Sequence, residues 1–146
     1  MAIKNAKQKG TSWERDATKL LTELIRGSHW KRIAGSGAIG TILNEPLLTG
    51  DIAGKLEGVG KSIRAEAKVG YGGSTQMSVK REWLEKIREE AEGSFSIPLL
   101  LGKFSGARGG SKHFVIMDFE AFAEFADIIY ELSKSEINLL EKLEDE

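Results

Sequence analysis

The hydrophobic positions of this sequence recur with two periods, one typical of helices and the other of strands. The first run has helical spacing, and its members are Trp13, Ala17, Leu20, Leu21 and Leu24. Thr11 precedes this run, and Glu14 lies three residues after Thr11, which is the spacing of a capping box. We therefore expect a first helix to begin at Thr11 and to end near Gly27, because glycine readily closes a helix. A short apolar stretch over residues 30–34 then predicts a strand.

A two-residue period replaces the helical one between Asp51 and Val69. Two runs of strand-forming residues flank the sequence Gly58-Val59-Gly60, which predicts a β-hairpin with its turn there. Because successive side chains of a strand point to opposite faces, the second arm has one apolar and one charged face. The apolar face consists of Ile63, Ala65, Ala67 and Val69, and the charged face of Arg64, Glu66 and Lys68.

Helical and strand periods alternate again after residue 75. An apolar stripe predicts a second helix, with Ser78 as its cap and its end near Glu92. The stripe consists of Val79, Trp83, Leu84, Ile87 and Ala91. Apolar runs over residues 97–104 and 113–117 predict two more strands. Helices and strands in this order are typical of an α/β domain with a central mixed β-sheet flanked by helices.

The last part of the chain combines a helix with an acidic segment. Asp118 is placed to cap a helix over residues 119–133, which is apolar almost all round. We expect such a helix to be buried, either in the core or against another subunit. Residues 135–146 form an acidic tail, either a final helix or a frayed end. No linker divides the 146 residues, which predicts one domain over residues 1–146 with a basic arm at residues 1–10.

Charge is distributed unevenly, although the net charge is only −1. Residues 1–117 carry a net charge of +7 and residues 118–146 one of −8. A basic body suits a polyanionic partner, although charge blocks are often only solvated faces. The chain has no cysteine, which excludes disulfides, thiolate zinc sites and cysteine nucleophiles. A polar, basic start and the lack of a long apolar run predict a cytoplasmic protein without membrane contact, of cellular or viral origin.

Four side chains form the candidate chemical site. Hydrolysis of a phosphodiester needs a divalent cation to polarise the phosphoryl group and activate water, and Mg²⁺ prefers carboxylate oxygens. Asp51 begins one arm of the hairpin, and antiparallel pairing can bring it beside Glu66 and Lys68 on the other. The lysine can hold the attacking water or stabilise the developing charge. Glu14, at the edge of the first apolar stripe, is a cap, a ligand or both. An isolated Glu-x-Lys triplet on a strand is more often an exposed ion pair.

These residues resemble a known nuclease signature. Gly50-Asp51-Ile52, followed by Glu66-Ala67-Lys68, is similar to the PD-(D/E)xK motif, with Gly50 in the usual place of proline. Together with the segments before them, they resemble the archaeal-type Holliday junction resolvases. The other matching pieces are Lys9-Gly10, Glu14-Arg15 and Arg32-Ile33-Ala34-Gly35-Ser36-Gly37. Order and spacing agree to about residue 117, whereas the acidic segment that follows does not obviously match.

The resemblance implies a restriction-endonuclease-like fold and a homodimer that cuts four-way DNA junctions on opposed strands. It implies Mg²⁺ as the cofactor, with Mn²⁺ as a substitute. The implied metal ligands are Glu14, Asp51 and Glu66, which with Lys68 form the catalytic set. The implied DNA contacts are Lys9, Arg15, Arg32 and Ser36. The last helix, together with Trp83 or Ile87, is a candidate dimer interface.

Two other functions stay open on the sequence alone. A related repair or restriction endonuclease would act on duplex or flapped DNA with the same chemistry, since junction choice depends on dimer shape. A non-catalytic DNA-binding module would need a broken metal site, whereas this sequence has an intact set of residues.

Overall fold

The computed structural model describes residues 6–33, 52–70, 73–106 and 109–145, except for the side chains of residues 6–9 and 11. Over these residues the chain forms three helices and one five-stranded sheet. The helices are α1 (Ala6–Leu24), α2 (Arg81–Gly93) and α3 (Phe119–Glu144). The strands are β1 (Ser28–Arg32), β2 (Ile52–Leu56), β3 (Ser62–Val69), β4 (Ser96–Lys103) and β5 (His113–Ile116).

The sheet is mixed, and its strands follow one another in space in the order β1-β2-β3-β4-β5. The central strand β3 pairs antiparallel with β2, where Ile52 lies opposite Ala65. On its other side β3 pairs parallel with β4, where Glu66 lies opposite Leu100. A parallel pair cannot be joined by a tight turn, and α2 makes the required crossover. The α/β fold with a mixed sheet flanked by helices is therefore confirmed.

Strand β3 is covered on both faces, and this determines the environment of its charged residues. One face packs in the main apolar core with α1 and α3. The buried members of this core are Trp13, Ala17, Trp30, Ile52, Ile63, Ala65, Ala67, Ile97, Leu99, Leu101 and Ala121. The alternate residues face α2 instead: Glu66 contacts Lys86 of α2, and Arg64 contacts Ser94, the residue that caps the end of α2. The charged face of the hairpin is therefore not a solvated surface but lies under a helix.

The predicted hairpin is confirmed, and the close approach of strands β1 and β2 fixes its packing. Gly54 of β2 lies opposite Trp30 of β1, and its missing side chain leaves room for the indole ring. The turn includes Gly58, whose φ of 82° is in the left-handed region that favours glycine. The buried pair of Trp30 and Gly54 joins the first edge strand to the core.

The predicted starts of the first two helices were wrong. Helix α1 begins at Ala6 rather than at Thr11, because the residues before Thr11 are mostly good helix formers and extend the helix upstream. Much of the predicted basic arm thus belongs to α1. Helix α2 begins at Arg81, and Lys80 stands at its N-cap without a side-chain hydrogen bond, so Ser78 is not the cap. Val79 is 40% exposed and does not join the apolar stripe.

Helix α3 is longer and less buried than its sequence predicts. Asp118 caps it as expected, accepting a hydrogen bond of 2.7 Å from the backbone N–H of Ala121. The helix then continues without interruption to Glu144, so the acidic tail is its second half. Ala121 is its only residue in the buried class, while Phe119 is 94% exposed. The prediction that α3 is buried in the core of the same chain is thus wrong for most of the helix.

Trp83 and Ile87, which were predicted to form a dimer interface together with α3, are buried. Trp83 and Ile87 are only 8% and 2% exposed, because they pack between α2 and the sheet. They cannot contribute to a dimer interface without unfolding α2, and this part of the prediction was wrong.

Candidate active site

Glu66 is a buried carboxylate at the centre of the sheet. Its side chain is 4% exposed, because β3 places it beneath α2. Its Oε1 lies 3.2 Å from Nζ of Lys86 and 3.5 Å from Nζ of Lys68. Its Oε2 is also buried and has no hydrogen-bond partner within the described part of the chain. An ionised oxygen without a partner is costly in the interior, and a divalent cation with oxygen ligands is the kind of group that would compensate it.

Lys68 lies on the same face of β3 as Glu66, two residues along the strand. Its Nζ is 3.5 Å from Glu66 Oε1 and 5.0 Å from the ring centroid of Trp83. The side chain is 30% exposed, and its ammonium group contacts both a carboxylate and an aromatic ring. A cation above an indole face is attracted by the ring quadrupole. These two contacts fix the position of Lys68 beside Glu66.

Two residues of α2 complete this environment, and the reasoning from sequence did not include them. Trp83 was assigned to the apolar stripe and to a candidate dimer interface, and Lys86 was not assigned a role. The available signal was helical spacing, because residues three apart share one face of a helix. Trp83 and Lys86 have that spacing, and the face that they share covers β3.

Glu14 lies on α1, in the turn that packs against the sheet. Its neighbour Trp13 anchors that turn, because the indole Nε1 donates a hydrogen bond of 3.1 Å to the carbonyl oxygen of Leu101. The side chain of Glu14 is 23% exposed, and its Oε1 lies 3.9 Å from Nε of Arg32. Arg32 is 37% exposed at the end of β1. The structure thus brings two predicted site residues together as an ion pair, and Arg15, the residue after Glu14, is exposed.

The remaining predicted residues lie outside the described part of the chain. This applies to Asp51, to Ser36 and to the side chain of Lys9. Within the described residues, no three acidic or histidine side chains are grouped to hold a metal ion. What is described is the neighbour of Asp51 in the sequence: Ile52 pairs with Ala65, the residue before Glu66.

A second charged side chain of β3, that of Arg64, is also buried. Arg64 is 8% exposed, and its Nε donates a hydrogen bond of 3.3 Å to Oγ of Ser94. Burial lowers the pKa of Arg64 below its ordinary value, while the negative charge of Glu90 acts in the opposite direction. Arginine nevertheless keeps its charge in proteins. Between β3 and α2, Lys86 thus links the carboxylates of Glu66 and Glu90, and Arg64 lies close enough to Glu90 for their charges to interact.

A mixed sheet flanked by helices, with glutamate and lysine two residues apart on its central strand, agrees with a restriction-endonuclease-like fold of the PD-(D/E)xK class. More narrowly, residues 5–146 match the family described as “Phage putative PDDEXK endonuclease”, and the chain belongs to that family. The PD-(D/E)xK resemblance seen in the sequence is thereby confirmed.

Among solved structures, the chain is similar to Hjc of Archaeoglobus fulgidus, described as a Holliday junction resolvase from an archaeal hyperthermophile. The identity is 21% and the TM-score 0.44, over 75% of this chain and 84% of that chain. No curated protein matched the chain. Among the described residues, no helix has the length and apolar character needed to cross a bilayer.

Proposed function

We propose that this endonuclease is a Mg²⁺-dependent enzyme that resolves four-way DNA junctions by paired phosphodiester hydrolysis. The observation that carries the proposal is the buried Glu66, with an unpartnered Oε2 on one side and Lys68 on the other. The phage family supports a virus-encoded enzyme, which we propose to act in the cytoplasm, and its match over residues 5–146 supports a single nuclease domain across residues 1–146.

Glu66, Asp51 and Glu14 are the proposed metal ligands. Asp51 directly precedes Ile52 in the sequence, and Ile52 pairs with Ala65, the residue before Glu66. Two or three carboxylates are enough for Mg²⁺, which keeps several of its waters, and Mn²⁺ accepts the same oxygen ligands. When bound, the ion would polarise the phosphoryl oxygen and lower the pKa of water.

Lys68 is the proposed catalytic lysine. As a water oxygen attacks phosphorus and the bond to the leaving oxygen breaks, negative charge grows on the phosphoryl oxygens. An ammonium group already held by Glu66 and Trp83 can meet this charge with little reorganisation.

Lys9, Arg15, Arg32 and Ser36 are the proposed DNA contacts. Arg15 is exposed and Arg32 is more than one-third exposed, which leaves both guanidinium groups accessible to phosphates. The net charge of +7 over residues 1–117 supports a polyanionic partner. Affinity for DNA should therefore fall steeply with salt, and a flat response would contradict this assignment.

Paired cutting of opposed strands requires two copies of the site, and α3 supplies a surface for a second copy. Its exposed apolar residues include Phe122, Ile129, Leu132, Leu139, Leu140 and Leu143. Monomeric proteins rarely expose a continuous apolar face of this kind, and a two-fold axis would bury it twice. We expect a dimer in sedimentation velocity and a monomer for the variant Leu139→Glu with Leu143→Glu. A monomeric parent at micromolar concentration would contradict the homodimer.

The deciding experiment compares a fixed four-way junction with linear duplex of the same sequence, in Mg²⁺ and in EDTA. We expect symmetric paired nicks on the junction that need Mg²⁺. Asp51→Asn and Lys68→Ala should each slow cleavage by orders of magnitude. Lys134→Ala, on the exposed part of α3, is the matched control and should cut at the parent rate.

The other outcomes separate the remaining hypotheses. Equal cutting of duplex and junction would be consistent with the proposed metal site but would indicate a repair or restriction endonuclease rather than a resolvase. Cutting by Lys68→Ala at the parent rate would contradict the proposed site. Binding of DNA without Mg²⁺-dependent cleavage of either substrate would indicate a binding module and contradict the proposal.

A further inference from the structure

Glu66 has a second cationic neighbour that neither the motif nor the proposed mechanism uses. Nζ of Lys86, on α2, lies 3.2 Å from Glu66 Oε1, nearer than Nζ of Lys68 at 3.5 Å. The side chain of Lys86 is 54% exposed and that of Glu66 is 4% exposed. Lys86 therefore reaches from the surface to a buried carboxylate, and its ammonium group can leave without crossing the core.

The two lysines differ in what else holds them. Lys68 is 30% exposed and lies 5.0 Å from the ring of Trp83. Lys86 has another acceptor on its own helix, because Glu90 Oε1 lies 3.9 Å from its Nζ. Residues four apart on a helix are natural ion-pair partners. Of the two ammonium groups at Glu66, that of Lys86 is thus the one with a second carboxylate, that of Glu90, as an alternative partner.

The arrangement of charges then has a consequence for cation binding. Both lysines share Oε1, so the unpartnered Oε2 is the oxygen left for a divalent ion. Such an ion at Oε2 would lie on the same carboxylate as the Lys86 ammonium and repel it. Binding of the ion and the contact of Lys86 with Glu66 therefore oppose each other.

We infer that Lys86 is a positioning residue that neutralises Glu66 in the metal-free protein and is displaced toward Glu90 when a divalent cation binds. Lys86 thereby lowers the affinity of the site for the cation. The inference rests on the proposed function, because it requires Glu66 to be a metal ligand. A lysine that only supported the fold would have the opposite effect, since its loss would disorder Glu66 and weaken binding of the cation.

The test is a calorimetric titration of the full-length protein with Mn²⁺ alone, in the absence of DNA. We expect Lys86→Met to bind Mn²⁺ about two- to fivefold more tightly than the parent, the factor that corresponds to a partly exposed charge pair. Lys86→Arg keeps the charge and should stay close to the parent. Lys134→Met removes an exposed lysine of α3 and is the control for net charge. The difference should shrink at high salt, which screens exposed charges.

The outcomes separate this inference from the function on which it rests. Glu66→Gln should weaken Mn²⁺ binding; if it does not, or if the parent binds no Mn²⁺, the proposed metal site itself is wrong. If Glu66→Gln weakens binding while Lys86→Met binds as the parent does or more weakly, only the role of Lys86 is wrong. Thermal unfolding checks each variant, and Lys86→Gln, which keeps a polar side chain, replaces Lys86→Met if that variant does not fold.

Discussion

The position of Lys68 over Trp83 can be tested as a pairwise energy. The ammonium lies 5.0 Å from the ring centroid and its side chain is 30% exposed, whereas Nζ of Lys80 lies 5.8 Å from the same ring with its side chain 58% exposed. Cation–π pairs contribute about 0.5–1 kcal/mol at exposed sites and more when desolvated. We therefore expect a coupling of about 1 kcal/mol between Lys68 and Trp83, and about half of that or less for Lys80.

A double-mutant cycle measures these couplings. Trp83→Leu alone should cost several kcal/mol, about 2–4, because it leaves a cavity under α2 where the indole is 8% exposed. That cost cancels when Trp83→Leu, Lys68→Met and the double variant are compared with the parent. The assay is the free energy of unfolding from urea titrations in metal-free buffer, with Lys80→Met as the parallel cycle.

Two results would refute the reasoning. A coupling between Lys68 and Trp83 below about 0.3 kcal/mol would fall within the normal error of additivity and remove the indole as an anchor. A coupling to Lys80 larger than that to Lys68 would reverse the order that the distances predict. Trp83→Phe, which keeps an aromatic face, should lose less of the coupling than Trp83→Leu.

Three further predictions concern the frame of the site. Gly54→Ala should destabilise the fold by about 1–3 kcal/mol in urea unfolding, because the added methyl group would overlap the ring of Trp30, and an unchanged midpoint would contradict this packing. Asp118→Ala should cost about 1 kcal/mol through the loss of the α3 cap, with Asp118→Asn as the control that keeps an acceptor. Burial and the positive charges of Lys112 and Lys103 lower the pKa of His113 below its ordinary 6.5, while Asp16 acts in the opposite direction. The folded state then binds this proton more weakly than the unfolded chain, so the contribution of His113 to stability is full above pH 6.5 and is lost as the pH falls through the lower, folded pKa. An NMR titration that placed the pKa at or above 6.5 would contradict this.

The sequence predicts the order of elements because the periods are clear. The two-residue period of β3 and the glycines at its turn place Glu66 and Lys68 on one face, which the structure confirms. The buried side of α2 also follows from its stripe, since Trp83, Ile87 and Ala91 are all buried. Patterns of this kind are local, and local patterns can be read from one chain.

What the sequence does not predict depends on contacts between distant residues. The start of α1 was misplaced because a capping pattern at Thr11 competes with good helix formers before it, and the longer helix wins. The approach of Lys86 to Glu66 requires the crossover of α2, and no local pattern encodes that distance. The exposure of α3 is likewise a property of what the rest of the chain leaves uncovered.

The residues of the proposed site come from two parts of the sequence, and the parallel pairing of β3 with β4 defines one of them. Glu66, Lys68, Trp83 and Lys86 all belong to the continuous segment from β3 through α2 to β4, whereas Glu14 and Asp51 come from outside it. The contacts around the proposed catalytic lysine therefore form within one stretch of about forty residues, whereas the proposed carboxylate set requires residues from outside it. Substitutions in α1 should accordingly affect metal binding while leaving the contact between Lys68 and Trp83 in place.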